Sequence, residues 1–131
     1  MHYLTVARSI LLLRISIAVV FLAHAIVRIG NHTIGRFGEF LDNKGFIYGT
    51  ALVWLITTFE IVGGILLALG LFTKILAAGF ILILLTGIIL IHCSLGWFVG
   101  EHGSGGMEYS FILIMSLITV IAAGDQKTIR L

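Results

Sequence analysis

The chain has 131 residues, of which 60% are hydrophobic and a further 16 are glycine, against eight Lys and Arg and six Asp and Glu. A charged share of 11% is less than half the roughly 25% of a soluble domain, and it is too small to cover the surface of so short a chain. That excludes a soluble globular domain and, equally, a disordered one. A single cysteine excludes an internal disulfide framework. The net charge of +2, with no basic run, P-loop or GxGxxG after a strand, gives no sign of nucleic-acid or nucleotide binding. The composition is that of an integral membrane protein.

Four apolar stretches are long enough to cross a hydrocarbon core of about 30 Å at about 1.5 Å per residue. The first runs from Ile10 to Ile29. Arg8 before it and Ala23-His24-Ala25 near its end resemble a cleaved leader, but the apolar run continues past that point, so an uncleaved helix is expected. Arg14 lies one turn inside and can snorkel. His24 and Arg28, four apart, share a helical face. From Gly30 to Gly49 the chain is too polar to insert; Ile34, Phe37 and Leu41 mark one face of a short amphipathic helix, expected flat on the outer surface with its aromatics among headgroups.

The second span, Thr50 to Leu71, carries Trp54 and, near its middle, Glu60. A carboxyl at that depth either holds its proton or faces an arginine or a metal, and it marks a functional position or a register-fixing hydrogen bond. Gly63 and Gly64, one turn on, let a helix or a ligand approach it. The third span, Ile75 to Cys93, ends in His92 and Cys93. A glycine-rich outer loop, Ser94 to Gly106, holds Trp97, Phe98 and His102, and Glu108 opens the fourth span, Met107 to Gly124. His92, His102 and Glu108 are candidate ligands for a transition metal, though their spacing matches no compact motif. Cys93 reads as a packing residue.

An even number of spans puts both termini on one side. That side carries Arg8, Arg14, Lys74, Lys127 and Arg130, against Arg28, Arg36 and Lys44 on the other. The bias predicts cytoplasmic termini in the cell's inner membrane. The expected fold is all-α, an antiparallel four-helix membrane bundle forming one domain over residues 1–131. Its outer half should hold a polar pocket lined by His24, Glu60, His92 and Glu108.

Leu12-Leu13-Arg14, Phe21-Leu22-Ala23-His24, the block from Phe59-Glu60 through Gly63-Gly64 to Leu69-Gly70-Leu71-Phe72-Thr73-Lys74, and Gly105-Gly106-Met107-Glu108-Tyr109 occur in the order seen in one group of proteins. In this the chain resembles the DoxX family of small four-helix membrane proteins from about Leu11 to Asp125. It departs at Ala123-Gly124-Asp125, where the family often has a proline-containing turn. The resemblance implies a component of a redox pathway, in some members a subunit of a thiosulfate:quinone oxidoreductase.

Three readings follow. In the first, the chain handles a quinone or supports a partner oxidoreductase as a quinone-linked subunit. Glu60 and His24 would move protons, and Arg28, Trp54, His92 and Glu108 would complete the ligand site. In the second, it binds a metal or haem, with His24 and His92 as axial ligands. In the third, it is a non-enzymatic assembly subunit docking through small-residue faces. Its partners are the lipid bilayer and a membrane-attached oxidoreductase, with a homo-oligomer left open.

Overall fold

The computed structural model describes residues 3–100 and 105–124. Among them every regular element is helical. Three helices are long and apolar enough to cross a membrane: α1 (Val6–Gly30), α3 (Gly49–Leu69) and α4 (Thr73–Leu90). A further apolar helix, α5 (Glu108–Gly124), has 17 residues, or roughly 25 Å of helical rise. The amphipathic helix α2 (Ile34–Asn43) lies between α1 and α3. The protein is a multi-pass membrane protein.

Local chemistry sets the ends of these helices. Thr5 caps α1 by accepting the Arg8 amide, satisfying one of the first-turn donors that a helix leaves open. Helix α3 ends on Gly70, whose φ of +79° is in the left-handed region. Leu71 donates to the Leu66 carbonyl and Gly70 to that of Leu67, a Schellman closure. Helix α4 stops at Leu90, three residues short of the expected span end, and His92–Leu95 form a 3-10 turn. The apolar run continues past the helix, because hydropathy reports burial in lipid and not backbone conformation. The returning loop is closed by backbone bonds from Met107 to Gly96 and from Glu108 to Trp97.

Helix α1 packs against α3 and α5, and α4 packs against the same two, so these four surround one interior. Its core takes Ile17 and Phe21 from α1, Leu67 from α3, Leu76, Ala77 and Phe80 from α4, and Leu113, Leu117 and Val120 from α5. The Phe21 and Phe80 rings stack at 4.0 Å between centroids, and Phe59 tilts onto Phe80 at 4.9 Å. Gly63 and Gly64 admit helices: a Cβ would stand 3.3 Å from Phe80 Cζ at the first and 3.1 Å from Leu22 Cγ at the second. Outward-facing residues such as Val19, Leu55, Ile75 and Ile89 are exposed, as suits a chain whose solvent is hydrocarbon.

Helix α2 turns its apolar face onto the protein. Ile34 and Leu41 are buried in a second cluster with Val53 of α3, joined by Phe37, Phe40 and Leu52. Two glycines explain it, since a Cβ on Gly38 would meet the Thr50 backbone and one on Gly49 would meet the Gly38 carbonyl. Asp42 then accepts the Gly49 amide at 2.7 Å.

Candidate functional site

Between the two clusters lies a cavity of about 500 Å³. Every helix contributes to it: Phe21, His24 and Arg28 from α1, Phe37 and Leu41 from α2, Leu52, Ile56 and Glu60 from α3, Leu82, Ile83, Leu84, Thr86, Gly87 and Leu90 from α4, and Tyr109, Ser110 and Leu113 from α5. The α1 and α3 residues recur every three or four positions, so one stripe of each helix faces inward. Helix α2 lies over the space, and Phe21, stacked on Phe80, separates it from the lower core. The walls are mostly apolar, and the polar groups are few.

The dominant polar feature is an ion pair between α1 and α3. The Arg28 guanidinium donates from Nη1 to Glu60 Oε2 and from Nη2 to Oε1, the second at 3.4 Å. Nη1 also donates to the Thr57 hydroxyl at 2.9 Å, which itself donates to the Val53 carbonyl at 2.7 Å. The Phe37 ring lies 5.7 Å from the guanidinium carbon, within cation–π range. The Glu60 side chain is 4% exposed and that of Arg28 15%. Removal of two charges from water is costly unless they are paired and hydrogen-bonded; here Thr57, one turn before Glu60, completes the set. Of the alternatives open to Glu60 from the sequence, the arginine is the one present.

His24 lines the cavity and is exposed. His92 lines it from the 3-10 turn after α4, and its Nδ1 is buried with no hydrogen-bond partner among the described residues. Buried ring nitrogens seldom go unmatched; this one lies on the Gly105 side of the ring, where a Cβ would stand 3.8 Å from it. Cavity and ion pair together gather His24, Arg28, Glu60 and His92.

Other candidates lie elsewhere. Glu108 does not line the cavity: its Oε1 accepts the Val99 amide at 2.8 Å, closing the loop between α4 and α5. The expected pocket is therefore corrected at Glu108, which the loop uses before it can reach inward. Trp54 does not line the cavity either and is 49% exposed. Trp97 tilts onto Phe111 at 5.4 Å. His102 lies outside the described residues. Among those described, no group of three or more His, Cys, Asp or Glu is placed to hold a metal ion. Sequence reasoning did not single out Thr57 or the buried Ser110. The first had a signal, a hydroxyl three positions before Glu60 on the same helical face.

The family model for DoxX matches residues 9–93, from α1 into the 3-10 turn after α4. The match includes His24, Arg28, Thr57, Glu60 and His92 and leaves α5 outside. No curated protein matches the chain. No solved structure matches it either.

Proposed function

The chain belongs to the DoxX family, and from that premise we propose that it binds a membrane quinone in the cavity beneath α2 and serves a partner oxidoreductase. The observation that carries this reading is the make-up of the cavity. Its apolar walls are interrupted by a tethered arginine and by the imidazoles of His24 and His92. A quinone is a flat apolar ring with a carbonyl at each end, so it needs this combination of apolar area and a few polar contacts.

In this reading Arg28 is the donor to a carbonyl oxygen, and Glu60 and Thr57 act through it by fixing its guanidinium. His92 meets the second oxygen. His24, exposed at the cavity, exchanges protons with the surroundings through its two ring nitrogens. Electrons come from the partner protein. The surrounding architecture is read as an antiparallel four-helix bundle in the cell's inner membrane, forming one domain.

Purified protein should release a quinone on solvent extraction and bind a short-chain quinone analogue. Arg28→Gln and His92→Ala should each weaken that binding roughly ten-fold, as expected for loss of one hydrogen bond from a buried site. Extracts without quinone, together with equal affinities in all three proteins, would sink the reading. The presence of both His24 and His92 at one cavity favours haem as the alternative ligand. A Soret band in purified protein that disappears in His92→Ala would favour it over quinone.

A further inference from the structure

A second cavity, of about 200 Å³, lies at the α3–α4 turn and is lined by Ile10, Arg14, Gly70, Thr73, Val120, Ala123 and Gly124. We propose that it binds the phosphate group of a glycerophospholipid, with Arg14 as the residue that holds it. The site shares no lining residue with the quinone cavity and does not depend on that reading.

Arg14 is the first argument. Its span is apolar, so the guanidinium needs a partner at interfacial depth. The contact it has is weak: Nη2 reaches the Ala68 carbonyl at 3.5 Å, and Nε is buried with no partner among the described residues. No carboxylate lines the cavity among the described residues. A planar guanidinium with donors to spare matches the oxygens of a phosphate.

The second argument is the shape of the cradle. The guanidinium lies directly on the α3–α4 turn, where a Cβ on Gly70 would stand 3.0 Å from both Nη atoms. The same glycine has a φ of +79°, so glycine is required there twice over. Thr73 also lines the space; it is the first residue of α4, whose N-cap Phe72 offers no side-chain bond to the opening amides. The space exceeds what a single water fills, about 30 Å³ in the liquid. Ile10, Val120 and Ala123 provide apolar contact for the glycerol and upper acyl carbons. Depth decides the source, because the cavity lies at the ends of three apolar helices, where lipid phosphates are concentrated.

The test is thermal unfolding of the full-length protein in an uncharged detergent, titrated with phosphatidylglycerol, with a diacylglycerol lacking phosphate, or with inorganic phosphate. Phosphatidylglycerol should raise the midpoint saturably and the diacylglycerol should not. Arg14→Gln should raise the half-saturating lipid concentration roughly ten-fold, and Arg14→Lys should recover part of it. Because Arg14→Gln can also disturb folding, Ala123→Leu, which fills the cavity from another wall, provides a second variant and should reduce the effect with Arg14 intact. Equal responses in wild type and both variants overturn the proposal. A response to inorganic phosphate with none to the lipid overturns the lipid as its source.

Discussion

Arg28 and Glu60 are 32 positions apart in the chain and meet side chain to side chain. The sequence marked each as unusual, because ionisable groups inside a span are expensive, but it did not pair them. Pairing depends on the register of α1 against α3, which periodicity within either helix does not contain. Glu108 shows the converse. Its position at the start of a span suggested an inward carboxylate, whereas the nearer Val99 amide takes it. The ion pair leads to a double-mutant cycle. Arg28→Gln and Glu60→Gln each leave one buried charge without its counter-ion, a change that costs about 3–5 kcal/mol in buried pairs. The double variant, with no buried charge, should lose markedly less than the two single losses summed. Reversible unfolding in mixed detergent measures this, and strict additivity would show that the two groups are not coupled.

At the scale of elements, the apolar spans were legible because lipid demands long runs without charge, and that demand is local. What each helix faces was less legible. The period of Ile34, Phe37 and Leu41 gave α2 its helix and its apolar face, but the same face suits headgroups or a protein groove. Gly38 and Gly49 decide between them by letting α2 and the start of α3 approach backbone to backbone. Gly38→Ala should therefore lift α2. The colliding atoms include Thr50 backbone, which cannot rotate away, and overpacking of this kind costs about 1–3 kcal/mol. Hydrogen exchange should quicken across residues 34–43 while the Leu113–Val120 core stays protected, and affinity for the quinone analogue should fall with it. Gly35→Ala is the control: a Cβ there meets nothing within 4 Å, and alanine favours a helix over glycine by about 1 kcal/mol. Similar exchange in the two variants would show that the close approach does not hold α2 in place.

For the whole molecule, orientation in the membrane rests on charges that the structure sorts into two kinds. Counting from the sequence gives five basic residues on the side of the α3–α4 turn and three on the other. Arg28 belongs to the three, yet its charge is neutralised internally by Glu60 and should not act on orientation. Discounting it leaves Arg36 and Lys44, both on the α2 segment, and sharpens the bias toward a cytoplasmic α3–α4 turn. If α5 crosses as a fourth span, both termini should lie on that side as well. The single cysteine offers a direct test, because Cys93 is exposed in the 3-10 turn at the opposite end of α4 from that turn. A membrane-impermeant maleimide should label Cys93 in intact spheroplasts of the wild-type protein. In a Cys93→Ser background, Thr5→Cys should label only after permeabilisation. The reverse pattern would invert the molecule and move the opening of the cavity beneath α2 to the cytoplasmic half. It would also place the Arg14 site in the outer leaflet, so the same two labels decide which leaflet supplies its phosphate.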